Sequence, residues 1–244
     1  GEGDYKIDAI FNGHSHSQYA NTDLGIPVIQ SGSNGEYVGH IRLEFTDNVL
    51  SSESVENIGY YDDETLRSSN EVVADLIAFY QTETDELFNT EIITTGEYLS
   101  QTDLSIWIAS LMRISTGADI GFQNSGGTRT SVNEGEIMNL SVLYQIWPFD
   151  NVVKTVYLTG AEIKIQMNYL IYDTDLTSFD NETLYKVATN DYTFDKTSNP
   201  YIDGIDPFNT GIVLRDLAES ELIKQSLVYD LFYADNIIIT TEVD

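Results

Sequence analysis

The hydrophobic pattern of the chain changes its period near residue 63, and this change limits what each part can fold into. Residues 1–60 contain short apolar runs separated by Gly, Asn and Asp, which is typical of β-strands joined by turns. From about Asp63 to Phe88 the apolar residues recur every three or four positions without Gly or Pro, which predicts a helix of about 20 residues. The stripe consists of Leu66, Val73, Leu76, Ile77, Tyr80 and Leu87. We therefore expect a strand-rich block, a linker helix and a second block.

The second block, residues 91–244, mixes both kinds of element. Ser100 or Thr102 is expected to cap a helix that ends at Gly117, and Thr159 with Glu162 forms a capping box. We predict strands over 118–123, 152–158, 184–189 and 236–241, further helices after Asn139 and over 212–226, and a loop-rich stretch over 190–209. This block can build a complete core. The few strands of residues 1–60 cannot cover both faces of a sheet, so they are expected to be the tail of a larger domain.

Charge and composition exclude several classes of partner. The 244 residues include 40 acidic and 11 basic ones, a formal net charge of −29 that repels nucleic-acid backbones and anionic membranes. No cysteine is present, which excludes disulfides and thiolate metal sites. No apolar run approaches the roughly 18 residues of a membrane-spanning helix. A nucleic-acid polymer is therefore not expected as a partner.

Two of the three histidines lie close together after an apolar run. The stretch from Ile7 to Phe11 reads as a strand, and Asn12-Gly13-His14-Ser15-His16 follows it. Imidazole is the commonest neutral nitrogen ligand for Zn, Mn and similar ions, so His14 and His16 are candidate metal ligands. The same spacing also fits a hydrogen-bonded loop pair. His40 lies in an alternating strand, where a structural role is expected.

Three loops in the second block carry groups suited to ligand binding. Asn124-Ser125-Gly126-Gly127-Thr128-Arg129 combines paired glycines with a guanidinium, which suits a phosphate or carboxylate, although a simple turn has the same pattern. Phe149 follows Pro148, and Tyr192 follows a predicted strand. Each aromatic ring is either a core residue or an exposed ring for a planar ligand. Together the three loops would form a purine slot with a phosphate clamp.

These segments resemble, in order and spacing, the 5′-nucleotidase family, two-domain metallophosphoesterases that include UDP-sugar hydrolases and 2′,3′-cyclic-nucleotide phosphodiesterases. Gly13 to His16 resembles the last metal-ligand motif of the calcineurin-like metallophosphoesterase domain, and 28–45 resembles its closing strands. Residues 118–129, 148–151 and 158–160 resemble the C-terminal domain. The resemblance implies an α+β fold: residues 1–60 as the C-terminal fragment of a metallophosphoesterase domain, 61–90 as a linker helix about which the next domain turns, and 91–244 as a complete mixed α/β substrate-binding domain.

The resemblance also implies roles for single residues. His14 and His16 would each ligate a different ion of a pair of divalent metals, Zn, Mn or similar, which activates water to attack phosphorus. The implied substrate-binding residues are Asn124, Gly126, Gly127, Arg129, Phe149, Tyr192 and Asp206. Arg129 would contact phosphate with Asn124 beside it, the two rings would stack on the nucleobase, and Asp206 would hold the ribose hydroxyls.

The chain departs from the family pattern in ways that bear on activity. The usual Gly-Gly-Asp-Gly-aromatic run is represented by Gly204-Ile205-Asp206-Pro207-Phe208, and 99–104 lacks the usual Arg and Glu. The upstream metal motifs are not in this sequence. We therefore expect the substrate-binding portion of an exported bacterial nucleotide phosphoesterase, inactive by itself and holding no metal stably. The alternative is a non-catalytic surface binding or adhesion protein that reuses the scaffold; its partner would still be a nucleotide or nucleoside.

Overall fold

The computed structural model describes residues 7–194 and 202–238, and it divides into two compact units at Tyr80 and Gln81. Within those ranges, no helix is both long and apolar enough to cross a bilayer. The fold class predicted from the sequence is confirmed: strands dominate the first unit, and the second combines sheets with helices.

The first unit is built from five strands in two sheets. They are β1 (Ile10–Phe11), β2 (Gln18–Asn21), β3 (Val28–Ser31), β4 (Tyr37–Thr46) and β5 (Val49–Gly59). β3 lies between β1 and β2, parallel to the first and antiparallel to the second, while β4 and β5 form a long hairpin. The half-buried Asn57 amide joins the two sheets by donating to the Tyr19 and Gln30 carbonyls. The Cβ alternation of β4 leaves one side of the hairpin half-buried and the other exposed.

The helical pattern that begins near Asp63 forms two elements rather than one. A 3-10 turn spans Glu64–Arg67, and α1 spans Glu71–Asn89. The break occurs because the Asn70 side chain accepts hydrogen bonds from the backbone N–H groups of Val72 and Val73, which is the geometry of a helix start. None of the residues of α1 is buried, so its apolar stripe faces outward throughout.

The second unit contains a five-stranded sheet, a three-stranded sheet and four further helices. Its strands are β6 (Ile93–Thr95), β7 (Ile120–Gln123), β8 (Ile137–Met138), β9 (Val152–Thr159), β10 (Ile171–Asp173), β11 (Leu184–Asn190), β12 (Ile205–Val213) and β13 (Leu231–Phe232). Its helices are α2 (Gln101–Thr116), α3 (Leu140–Ile146), α4 (Gly160–Gln166) and α5 (Leu214–Ser226). The large sheet has the order β10-β7-β11-β9-β12, with β7 and β11 parallel and the other pairs antiparallel.

Local chemistry fixes where these helices begin and end. α2 starts at a capping box made by Ser100 and Asp103, and Gly117 ends it in the left-handed region at φ 59°. Asn139 caps α3, which stops two residues before Pro148. The predicted capping box of Thr159 at the start of α4 is present.

Two apolar clusters cover the two faces of the large sheet. One contains buried residues of α2, α3 and α5, including Trp107 and Trp147; the other packs β-strand residues such as Phe122 against Ile163 of α4. α2 lies so close to β7 that a Cβ added to Gly121 would be 2.0 Å from the Ala109 carbonyl oxygen. At the far edge of the sheet, Arg113 of α2 holds β10 through Asp173. Burial alone lowers the pKa of Arg113, but the hydrogen bonds and charges of Asp173 and Asp175 outweigh it and raise that pKa.

Two sequence predictions for this unit do not hold. The loop-rich stretch contains strand β12 from Ile205, although Gly204 and Pro207 favour turns. A register shift between Ile205 and Phe208 accommodates Pro207, with Asp206 at φ 51°. The closing strand predicted from Asn236 does not begin there, since 236–238 are irregular, and the rest of that prediction lies outside the described residues.

Candidate functional site

Three of the predicted loops meet at one edge of the five-stranded sheet. β7 and β11 are parallel neighbours, so the loops after Gln123 and Asn190 leave at the same edge. β9 runs antiparallel to β11 with Val153 opposite Asn190, which brings the chain before β9, including Phe149, to that edge as well. Ligands of open α/β sheets usually bind where parallel strands end.

The glycine-rich loop is held by buried polar contacts. Thr128 is 2% exposed, and its hydroxyl bonds to the Ser105 hydroxyl (2.8 Å) and accepts from the Trp147 indole N–H (3.1 Å). A Cβ at Gly127 would be 2.5 Å from the Gln123 amide nitrogen, so any larger residue there would have to displace that side chain. Gln101 of α2 donates to the Arg129 carbonyl. The loop is therefore anchored to α2 at two points.

The Arg129 side chain is the one strong cation that the glycine-rich loop presents to solvent. Its backbone N–H donates to the Ile146 carbonyl (2.8 Å), which ties this loop to the end of α3. Its guanidinium has only one recorded contact in the described part of the chain, a long one of 3.4 Å to the Gly126 carbonyl. The fork thus retains most of its donors for an anion.

Phe149 is 47% exposed, and a buried arginine holds the turn that carries it. Arg215, in the first turn of α5, donates to the Trp147 carbonyl (2.7 Å) and to the Asp150 carboxylate. The same guanidinium lies 3.6 Å from the ring centroid of Tyr144 in α3. The backbone position of Phe149 is therefore set by a residue 66 positions later in the chain.

Tyr192 is 52% exposed and lies in a 3-10 turn, Asp191–Phe194. The Asp191 carboxylate accepts from the Val152 N–H (3.0 Å), which links this turn to the start of β9. The Asn190 amide donates to the side-chain oxygens of Gln123 (2.7 Å) and Asn124 (2.8 Å), which links it to the glycine-rich loop. Both aromatic rings thus project from pinned turns at the same edge.

Asp206 is placed differently from the other predicted substrate-binding residues. It is exposed, and it lies in β12 between Ile205, opposite Tyr157, and Phe208, opposite Thr155. These partners are in the middle of β9 rather than at its start. The structure therefore brings Asn124, Arg129 and the two rings to one edge, and it leaves Asp206 along the outer strand.

The two candidate metal ligands lie in the first unit, on the loop after β1. His14 and His16 are exposed and have positive φ values of 74° and 57°, which are costly for residues with a Cβ and concentrate at functional sites. Ser15 between them accepts a hydrogen bond from the buried Gln30 amide of β3 (2.8 Å), so the loop is held in this form. Neutral imidazoles are suitable donors for a divalent ion.

The rest of a two-metal donor set is not supplied by the described residues. Among residues 7–194 and 202–238, no group of three or more His, Cys, Asp or Glu side chains is arranged to hold a metal. Two imidazoles alone do not fit a two-metal centre, because such a centre also needs carboxylate or amide ligands. No catalytic step can be derived from these two residues by themselves.

Several residues that shape the site were not found by sequence reasoning. They are Gln123, Thr128, Asn190 and Arg215, all at most 3% exposed. A buried amide or hydroxyl at the end of a strand has no distinct sequence pattern. For Gln123, Thr128 and Asn190 the only signal was their position in or beside the predicted loops, whereas Arg215 lies in a predicted helix.

Comparisons with known proteins find similar sequences and folds. Residues 78–175 match the family model of the 5′-nucleotidase C-terminal domain. The chain is 25% identical over 215 residues to the trifunctional nucleotide phosphoesterase protein YfkN of Bacillus subtilis, covering 80% of this chain and 14% of that protein.

Two solved structures share the fold. A putative 5′-nucleotidase from Staphylococcus aureus has a TM-score of 0.68 at 18% identity, covering 95% of this chain and 55% of that one. The 5′-nucleotidase precursor from Thermus thermophilus has a TM-score of 0.66 at 17% identity, covering 90% and 57%. The chain thus spans little more than half the length of these proteins. The resemblance to the 5′-nucleotidase family is confirmed, and the residues that match its C-terminal domain model lie almost entirely in the second unit.

Proposed function

We propose that the second unit is the nucleotide-binding part of a nucleotide phosphoesterase. The observation that carries this proposal is the meeting of three loops at one sheet edge, tied together by hydrogen bonds from Arg129 N, Asn190 Nδ2 and Val152 N. The edge offers two half-exposed rings, Phe149 and Tyr192, and one guanidinium. Rings suit a planar base, and a guanidinium suits a phosphate.

Hydrolysis is proposed for the whole protein, with His14 and His16 each ligating one of two divalent ions. When bound, such a pair supplies a metal-activated water and neutralises charge on the phosphoryl oxygens. Within this chain the two residues would contribute only part of the donor set. We therefore propose that the 244-residue chain binds substrate but does not hydrolyse it and holds no metal stably. The similarity to 5′-nucleotidases, one of which is described as a precursor, supports an exported protein, at the cell surface, outside the cell or in the periplasm of a bacterium.

The test is a calorimetric titration of the chain with adenosine and AMP. Base–aromatic stacking contributes about 1–3 kcal/mol per ring, so Phe149→Ala and Tyr192→Ala should each weaken both ligands by about fivefold or more. Tyr169→Ala is the matched control, because Tyr169 is 65% exposed and belongs to none of the three loops. Equal affinities of the wild-type chain and both ring variants would refute the nucleobase assignment.

A non-catalytic binding or adhesion protein is the second candidate. Two observations favour it: Asp206 lies away from the edge that carries the rings, and 99–104 contains no basic residue. The two candidates differ in turnover. A preparation that includes the remainder of the protein should hydrolyse nucleotides with added Mn or Zn if the enzyme proposal is right, and should only bind them if the second one is.

A further inference from the structure

The buried residue Asn190 joins the two loops of the site through its side-chain amide. It is 0% exposed at the end of β11. Its Nδ2 donates to Gln123 Oε1 (2.7 Å) and Asn124 Oδ1 (2.8 Å), and its Oδ1 accepts from the Thr193 N–H (3.3 Å). The contact from the Thr193 N–H fixes the direction of the other hydrogen bonds in this cluster, because a backbone N–H can only donate.

The Thr193 N–H fixes which way the Asn190 amide points. Since the oxygen of Asn190 faces Thr193, its amino group must face Gln123 and Asn124. Both of those amides must then present their oxygens to Asn190. A reversed Gln123 or Asn124 would place two amino groups against each other.

The orientation of the Gln123 side chain reflects this constraint. Its Nε2 is buried and has no hydrogen-bond partner among the residues that the structure describes. An orphaned buried amino group is unfavourable, so the side chain would turn over if the other side of the cluster could accept it. The other side of the cluster cannot accept it, because the Asn190 amino group lies there and is itself a donor.

We propose that Asn190 is a positioning residue. Through Asn124, it determines whether the ligand site presents a hydrogen-bond donor or an acceptor. With its oxygen engaged by Asn190, Asn124 turns its amino group away, and this group has no recorded partner in the described part of the chain. It lies beside Gly126, since a Cβ at Gly126 would be 3.9 Å from it. The glycine-rich loop therefore presents a second donor next to Arg129 and selects ligands with acceptor oxygens, such as a phosphate. The inference rests on the proposed nucleotide-binding function.

Asn190→Asp tests this inference because it reverses the direction of the hydrogen bonds in the cluster and keeps a polar side chain at position 190. A carboxylate accepts at both oxygens, so it keeps the Thr193 contact and makes Gln123 and Asn124 turn their amino groups inward. Asn124 would then present an oxygen to the ligand. We expect AMP affinity to fall about tenfold or more, as for the loss of a hydrogen bond to a charged group. The melting temperature should change much less than in Asn190→Leu, which leaves the amides unpaired.

Two controls separate positioning from the added negative charge. In an Asn124→Ala background, Asn190→Asp should have little further effect on AMP binding if it acts through Asn124, whereas a direct charge effect would persist. The side-chain amide resonances of Asn124 and Gln123 should also shift in ligand-free Asn190→Asp.

Each result has a definite consequence. Unchanged amide resonances, unchanged AMP affinity, or an equal loss in the Asn124→Ala background would overturn the inference alone. If the wild-type chain bound neither AMP nor inorganic phosphate, the proposed function would fail and the inference with it.

Discussion

At the residue scale, the groups that face the candidate ligand are exposed, and the groups that hold them are buried. Arg129, Phe149 and Tyr192 are exposed, while Asn190 and Arg215 are at most 3% exposed. Buried polar groups are hydrogen bonded in a fixed direction, so they define the geometry that the exposed groups use. The ligand groups and their supports therefore respond differently to substitution.

Arg129→Ala should weaken AMP more than adenosine, because only AMP offers a phosphate to the guanidinium. The loss for AMP is expected to be about tenfold or more, since hydrogen bonds to charged groups contribute roughly 1.5–3 kcal/mol. Calorimetry with both ligands measures the difference. Arg42→Ala is the control, since Arg42 lies on β4 of the first unit with Glu44 as its ion-pair partner. An equal loss for the two ligands would remove the phosphate role from Arg129.

The candidate ligand-facing residues stand out in the sequence, and their supports do not. Glycine pairs, an Arg and aromatics after turn residues form visible patterns, and these patterns indicate Asn124, Arg129, Phe149 and Tyr192 as candidates. Asn190 looks like the last residue of an ordinary strand. Arg215 looks like a surface cation on a helix, and only the tertiary fold shows that it is buried against Tyr144.

At the element scale, α5 and α3 are joined through one guanidinium, so its removal should loosen the Phe149 turn. Arg215→Met leaves the Trp147 carbonyl without its donor and should lower the free energy of unfolding by about 1–3 kcal/mol. Adenosine binding should weaken as well. Asp150→Asn, at the 84% exposed end of the same ion pair, should cost much less. Chemical denaturation of both variants provides the comparison, and equal costs would contradict it.

The turn that leads into β11 should show a pH dependence. Hydrogen bonds from the Glu182 N–H and then from Thr183 lower the pKa of Asp180 from 3.8. A carboxyl group whose folded pKa is depressed contributes stability above its unfolded pKa and loses it as the pH falls through the folded value. The wild-type chain should therefore be more stable than Asp180→Asn at pH 7, with the difference shrinking below about pH 4. Thermal unfolding at several pH values measures this, and a difference that grew in acid would be the wrong sign.

Element predictions succeeded where capping chemistry marked a boundary. Of the two candidate caps Ser100 and Thr102, the structure uses Ser100, and the predicted helix ends at Thr159 and Gly117 are present. β12 was missed because Gly204, Pro207 and Gly211 read as loop residues. An outer strand tolerates them, since bulges and positive φ values there disturb only one ladder.

At the scale of the whole molecule, the candidate ligand-binding edge and the two histidines belong to separate compact units. We expect the purified 244-residue chain to show no phosphatase activity with AMP, even with added Mn or Zn, because the described residues supply no complete metal donor set. A phosphate-release assay decides this. Robust turnover abolished by His14→Ala would mean that other residues of this chain complete the centre.

The close approach of α2 to β7 at Gly121 links the spacing between these two layers to the geometry of the candidate ligand site. No side chain fits between the Ala109 carbonyl and this strand, so a single methyl group would force the two layers apart. α2 and β7 also carry Ser105, which contacts Thr128 of the glycine-rich loop, and Gln123, which contacts Asn190. Variants designed to alter ligand preference should therefore keep the spacing between α2 and β7 and change only the exposed tips of the three loops.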